Sequence, residues 1–464
     1  MLKVKTISPS NENILAEYDI MSKEKVNSLV KKSKNTFVDW KRNMHQRTEL
    51  IHRFAEELRK NKKELALVAS NEMGKPIKEA ISEIEKCAVV MEYYGDNGQI
   101  FINDEVLNTD ARKTLITFQP LGVIASIMPW NFPYWQALRF AAPSMIIGNT
   151  VVLKPASATL QCGIEMEKLF TRVGFPDGVF QTLIGDSTVA EHLIDSTDVS
   201  AVTFTGSTSV GAKVAQKAGA NLKKCVLELG GSDPFIICSD ADIEKAAEGA
   251  VKGRFINCGQ SCIASKRFFV TSNVANEFIE KFIQKTERLR VGNPISEDTD
   301  IGPLVNSKGL ETIESQVKNA IDNGAEILTG GKRVGDKGYY YKPTILKNIS
   351  KEMRIYHEET FGPVASIVIV EDEKNAIKLA NESSFGLGAS VWTKDLDKAE
   401  QISRDVESGM VSVNNMLVSD PRVPFGGIKQ SGFGRELSKY GMLEFVNIKS
   451  IRFYDQLSHN HHVE

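Results

Sequence analysis

The segment Asn257-Cys258-Gly259-Gln260-Ser261-Cys262 puts a thiol on a turn that glycine can make sharp. A cysteine aimed from such a turn can be a nucleophile if a base, an oxyanion donor and room for an electrophile stand nearby. Alone, the pattern more often marks a buried, inert cysteine. Candidates for the other parts lie upstream. Glu228 sits in the apolar run Val226-Leu227-Glu228-Leu229, just before Gly230-Gly231. Burial among leucines raises a carboxyl pKa toward the range of a general base, whereas pairing with a lysine or arginine would make it structural. Asn131 is the amide in Met128-Pro129-Trp130-Asn131-Phe132-Pro133, a turn stiffened by two prolines. On its own such a turn is more often structural, but a fixed amide N–H in an apolar site is what an oxyanion hole needs. Phe204-Thr205-Gly206-Ser207-Thr208 closes an apolar run and opens a helical one. The N–H groups of a helix start can hold a phosphate. The run lacks the GxGxxG spacing, so alone it more often describes an ordinary capped helix.

These groups need a frame. Val123–Met128, Thr150–Leu153, Val199–Phe204 and Pro234–Ile237 read as buried strands. Each precedes a helical pattern: Tyr134–Ile147, Leu160–Val173, Ser209–Ala218 and Asp242–Phe255. Continuous apolar strands alternating with helices predict a mostly parallel, helix-covered sheet. A second alternation follows Cys262, with strands Lys266–Val270 and Val364–Val370 and helices Ala275–Leu289, Leu310–Asp322 and Ala376–Asn381. Ahead of both, apolar residues at three- and four-residue spacing predict helices at Lys23–Trp40, Thr48–Leu65 and Lys75–Tyr94. Lys449–Tyr454 reads as a last strand with no helix after it, and an open strand edge favours oligomerisation.

Composition narrows the function classes. The chain has 464 residues, 42% apolar and 25% charged, with a net charge of −2. That is two or three globular units, without the basic surface expected of a nucleic-acid or membrane binder. The N-terminus has no apolar signal core and no stretch is long enough to span a bilayer, so a cytoplasmic location is expected. Six cysteines, none in a CxxC pair, predict neither a disulfide scaffold nor a metal site. His459, His461 and His462 read as a solvated tail.

Together the motifs are far more specific than any one of them. PWNFP, FTGST, ELGG, NxGQxC, EETFGPV (Glu358–Val364) and PFGGIKQSGFGRE (Pro424–Glu436) follow one another in the order of the aldehyde dehydrogenase superfamily, and the resemblance covers essentially the whole chain. It implies an α/β fold of two doubly wound parallel-sheet domains plus a small β oligomerisation arm. The expected division is 1–100 with 119–229 as the dinucleotide-binding domain, 230–423 as the catalytic domain, and 101–118 with 445–457 as oligomerisation strands. A homodimer or homotetramer is expected. Cys262 matches the family nucleophile, Glu228 its base and Asn131 its oxyanion donor. Lys154 matches the lysine at the adenosine ribose, and Trp130, Gly206 and Ser207 match positions around the pyrophosphate. Glu359 matches the glutamate on the nicotinamide ribose, with Phe361 beside it. The implied chemistry is thiolate attack, hydride transfer to the nicotinamide, then hydrolysis of a thioester.

Cofactor and substrate follow from three further positions. Where NAD-preferring members often carry Glu, this chain has Ser157, which removes a charge that would repel a 2′-phosphate. NADP is expected to be accepted and preferred, with NAD the alternative. Arg139, on the helix after Asn131, matches an arginine of succinate-semialdehyde dehydrogenases and suits a substrate carboxylate; a structural ion pair is the other reading. A second arginine found in that group is Ile256 here, and Arg422 is the candidate to replace it. Succinate semialdehyde is therefore the expected substrate. Lactaldehyde, glyceraldehyde or a CoA-acylating reaction are the alternatives. A reversible Cys258–Cys262 disulfide is a further possibility.

Overall fold

The computed structural model describes residues 2–455. The three tail histidines, and the end of the 445–457 segment, lie outside the described residues. Strands that are apolar on both faces need cover on both faces, and the chain provides it twice. The first sheet has six strands in the order Gly432–Phe433, Lys224–Glu228, Val199–Thr205, Val123–Met128, Thr150–Pro155 and Phe180–Thr182. All its neighbours are parallel except Gly432–Phe433, which runs antiparallel to Lys224–Glu228. Alternate residues enter opposite cores: Val151 and Leu153 pack with Phe54, Tyr134 and Leu138, while Val152 packs with Val26 and Leu193.

The second sheet has seven strands: Glu326–Thr329, Thr344–Lys347, Val364–Val370, Ser265–Thr271, Asp233–Ile237, Gly388–Trp392 and Met410–Val413. Only Glu326–Thr329 is antiparallel to its neighbour. Phe235 and Ile237 face one core and Ile236 the other. The chain crosses between sheets over Leu229–Ser232 and comes back to place Gly432–Phe433 on the edge of the first. A third, antiparallel sheet joins Val446–Phe453, Lys113–Pro120 and Glu105–Leu107. Among the described residues, the last strand is thus paired on one side only.

Two local expectations change, and one element was not expected. The helix expected over Thr48–Leu65 is two, Met44–Lys60 and Lys62–Met73, and Asn61 between them ends one and starts the next. The helix expected from Lys75 begins at Ile77, after Pro76, and continues to Phe101. Proline lacks the N–H for a helix interior, so the start moves past it. The hairpin Lys3–Ile7 with Ile14–Asp19 carries mostly exposed side chains, so no apolar alternation announced it. Among the described residues no helix is long and apolar enough to cross a membrane.

The parallel register sets up the site. Ile127 lies beside both Lys154 and Phe204, and Thr205 beside Glu228. Asn131, Ser157, Ser207 and Glu228 therefore all leave one edge of the first sheet, the edge at the carboxyl ends of its strands, where open parallel sheets bind ligands.

Candidate active site

The nucleophile turn is strained and heavily braced. Asn257 and Cys258 both hold left-handed backbone, at φ 53 and 57, and Gly259 follows at φ 71. Two such non-glycine residues cost about 1–3 kcal/mol each, so the surroundings must hold them. The Asn257 N–H donates to Glu79 at 2.8 Å, and its side-chain amide donates to the carbonyls of Asn131 (2.8 Å) and Gln260 (3.1 Å). Buried Arg254 donates to the carbonyls of Gly259 and Gly362, each at 2.7 Å. A side chain at residue 259 would begin 2.3 Å from the Gly362 oxygen, which ties this glycine to the one in EETFGPV. Lys266 Nζ donates to the carbonyls of Ser261, Cys262 and Ala264 at 2.7–3.1 Å. Sequence reasoning gave Lys266, Arg254 and Glu79 no role. They act on backbone atoms, which side-chain motifs do not announce.

Cys262 stands between two cavities and is the residue common to both linings. One, of about 460 Å³, is walled by Phe132, Trp135, Arg139, Ile256 and Phe425 among others. The second, of about 390 Å³, is walled by Trp130, Asn131, Gly206, Ser207, Glu359 and Phe361. Burial pushes the Cys262 thiol up to about 12, although Arg139 and Lys266 pull it the other way. Asn131 is buried, and its amide N–H donates to the Gln260 carbonyl at 3.0 Å. That bond fixes which way the amide faces and leaves its second N–H for a ligand oxygen.

The second cavity suits an elongated phosphate-bearing ligand. Ser207 is the N-cap of the helix Thr208–Ala220, yet its side chain caps no N–H there. The first-turn N–H groups are therefore free for an anion. Trp130 and Phe361 meet edge-on at 5.6 Å in its wall. Glu359 accepts from the Gly231 N–H at 3.1 Å, and a side chain at Gly230 would begin 2.6 Å from its carboxylate. Burial raises the Glu359 carboxyl pKa, with Lys266 opposing. Lys154 and Ser157 do not line this cavity. Lys154 is buried, which lowers its pKa to about 8, and Asp186 favours its charge. Ser157 Oγ donates to the Gly185 carbonyl at 3.4 Å.

Glu228 lines neither cavity. It is 2% exposed, and neither carboxyl oxygen has a hydrogen-bond partner among the described residues. Burial raises its pKa well above the usual carboxylate range, Glu436 raises it further, and Arg139 and Arg435 oppose. Its carboxyl faces Gly426, where a side chain would begin 2.6 Å away. Arg139 lies in the wall of the first cavity, but its guanidinium pairs with buried Glu436 and stacks over Phe425 at 4.4 Å. Arg422 needs correction. Its side chain is 75% exposed, it closes on Asp420 at 2.6 Å, and it does not line the cavity. With a carboxylate only two residues away, its guanidinium stays local. Glu436 stands in the GRE end of a quoted motif, which was the one available signal of its place here. Cys258 and Cys262 are both free thiols.

Residues 2–451 match the model of the aldehyde dehydrogenase family. A Synechocystis sp. protein named as a probable succinate-semialdehyde dehydrogenase (NADP(+)) is 43% identical over 97% of this chain and 99% of its own. Succinate-semialdehyde dehydrogenase (NADP(+)) 1 of Mycobacterium bovis is 40% identical over the same shares. The crystal structure of succinic semialdehyde dehydrogenase from Streptococcus pyogenes in complex with NADP+ superposes with a TM-score of 0.95 at 34% identity, covering 97% of this chain and 100% of that one. The order of the motifs, the two-sheet fold and these matches agree, and the chain belongs to the aldehyde dehydrogenase family.

Proposed function

We propose that the protein oxidises succinate semialdehyde to succinate, with NADP preferred over NAD. The observation that carries this is the place of Cys262, in the walls of two separate cavities at once. An aldehyde entering from one side and a nicotinamide from the other would meet at its sulfur. Trp130, Gly206, Ser207, Glu359 and Phe361 would hold the cofactor, with Lys154 and Ser157 at its adenosine end. When bound, NADP takes up the hydrogen and electron pair lost by the aldehyde carbon.

The chain's own residues do the rest. Burial holds the Cys262 thiol up at about 12, so its proton passes to water in the cavity as the sulfur bonds to the carbonyl carbon. The Asn131 amide, with the Cys262 N–H, holds the resulting oxyanion. Oxidation leaves a thioester on Cys262. Glu228, whose affinity for a proton is raised by burial and by Glu436, takes a proton from water as it attacks and returns it to the departing sulfur, releasing the acid and the thiol. We assign the oligomer, a homodimer or homotetramer, to the three-stranded arm. Its Val106 and Ile448 are 72% and 60% exposed, which supports a partner there. The same reading keeps the division into a cofactor-binding unit (1–100 and 119–229) and a nucleophile-bearing unit (230–423), in the cytoplasm.

A panel of succinate semialdehyde, lactaldehyde, glyceraldehyde and propanal, each with NADP and with NAD, tests the proposal. The highest kcat/KM is expected for succinate semialdehyde with NADP, without added CoA. A neutral aldehyde in first place, or an absolute need for CoA, overturns it.

A further inference from the structure

Among the described residues, the cavity that carries Arg139 holds one cation with no carboxylate partner. The cations in its wall are Lys78, Lys86 and Arg139. Lys78 pairs with Asp300 and Arg139 with Glu436. Among the described residues, Lys86 has no carboxylate within ion-pair distance. Its Nζ donates to Ser419 Oγ at 2.6 Å and lies 4.3 Å from the centre of the Trp135 ring. Ser419 and Trp135 line the same cavity. The acids of the wall are engaged elsewhere. Glu83 binds Lys75 and the N–H groups of Tyr134 and Trp135. Glu79 accepts from Asn257, and burial holds its carboxyl up at about 7.

An ammonium in this position is short of partners. It has three donors, and one goes to Ser419. Burial lowers its pKa to about 8 and Arg139 adds to that, while Cys87, Glu83 and Asp420 favour its charge. Lys86 is partly buried, so a bound carboxylate would pair with it directly and offset the cost of the water it has given up. The wall position expected to hold a second arginine is apolar Ile256, and Arg422 points elsewhere. Lys86 comes from a different element, the helix Ile77–Phe101, and faces the same space.

We propose that Lys86 receives the distal carboxylate of the substrate and so sets the preference for a carboxylated aldehyde over a neutral one of similar length. The inference rests on the proposed oxidation of succinate semialdehyde. Its test compares kcat/KM for succinate semialdehyde and for butanal, at saturating NADP, in the full-length enzyme and in Lys86→Met and Lys86→Arg. The ratio cancels the titration of Cys262, which both substrates share. In the unmodified enzyme the ratio should fall as pH rises through about 8. In Lys86→Met it should be lower at neutral pH by about 10- to 100-fold and flat with pH. Lys86→Arg should restore most of it and stay flat to pH 9.5. Equal losses on both aldehydes, or an unchanged ratio in Lys86→Met, overturn the assignment. Should the Met variant not fold, the pH dependence of the unmodified enzyme and the Arg variant decide alone. An enzyme that prefers succinate semialdehyde while Lys86→Met is unaffected defeats only this inference. An unmodified enzyme that prefers butanal at pH 7 defeats the proposed function itself.

Discussion

Arg139 and Glu436 face one another as a buried ion pair, each at most 2% exposed at its side chain. Glu228 shares their surroundings: Glu436 raises its pKa and Arg139 lowers it. The arginine therefore bears on the carboxylate proposed as base, and not only on the cavity it borders.

Arg139→Ala should lower stability, by about 3–5 kcal/mol if Glu436 stayed charged, and less once it protonates. The sign with pH follows from Glu436, whose folded pKa is already raised by burial. Without Arg139 it rises further. A carboxyl raised in the folded state costs nothing where it is neutral in both states, and it loses stability as pH climbs above its ordinary value. Thermal melts should show a small deficit near pH 4.5 that widens toward pH 8. Turnover should drop on succinate semialdehyde and butanal alike, through Glu228. A loss confined to succinate semialdehyde would mean instead that the substrate draws Arg139 off Glu436.

Much of this site was legible because its signals are local. Asn131, Ser207, Glu228 and Cys262 each sit where an apolar strand pattern or a helix meets a turn, and the parallel register carries the strand-end groups to one edge. What escaped depends on contacts between distant segments. Whether Arg139 is free or paired depends on Glu436, nearly three hundred residues later. Lys86 looks like one more charge on an amphipathic helix until Ser419 and Trp135 close around it. Lys266 braces carbonyls, and no side-chain pattern records that. Arg422 is held by Asp420 only two residues earlier, a local pairing that keeps it out of the cavity wall. The hairpin at residues 3–19 packs too little to leave an apolar rhythm.

Asn131→Ala should cut kcat about a hundred- to a thousandfold, the usual loss for one oxyanion donor. NADP affinity should hold, because the amide is tied to the Gln260 carbonyl and Trp130, Ser207, Glu359 and Phe361 remain in the wall of that cavity. The Asn131 carbonyl that Asn257 uses survives the substitution, so the strained turn keeps that brace. Pre-steady-state turnover with a separate NADP titration reads both. Near-normal kcat would remove Asn131 from the chemistry.

Ser157→Glu should reverse the cofactor preference. The new carboxylate would lie at the end of the strand that carries Lys154, repel a 2′-phosphate and compete for the lysine. Like charges brought together cost several kcal/mol, so NADP should lose about tenfold or more in kcat/KM, with NAD spared. If the unmodified enzyme already favours NAD by more than about tenfold, Ser157 does not choose the cofactor.

Cys258→Ala should leave inactivation by peroxide unchanged. Cys258 is 1% exposed in the core that contains Phe255 and Phe268, whereas Cys262 packs against the other core, with Tyr134 and Leu138. Bringing the sulfurs together would mean undoing the braced turn. Inactivation that thiols reverse in the unmodified enzyme but not in Cys258→Ala would show that the turn does open.

Cys262 should be a slow nucleophile until its surroundings change. The thiolate is the reactive form, and burial holds the thiol near 12 in the protein alone. Below that value the thiolate fraction grows tenfold per pH unit. Alkylation by iodoacetamide, without cofactor, should therefore rise about tenfold per unit from pH 7 to 10 and show no plateau. Arg139 and Lys266 are the cations that favour the thiolate. Lys266→Met, which also loses three carbonyl bonds, should slow alkylation at every pH. A plateau below pH 9 would mean that the protein stabilises the thiolate already, and that proton removal from Cys262 needs no further help.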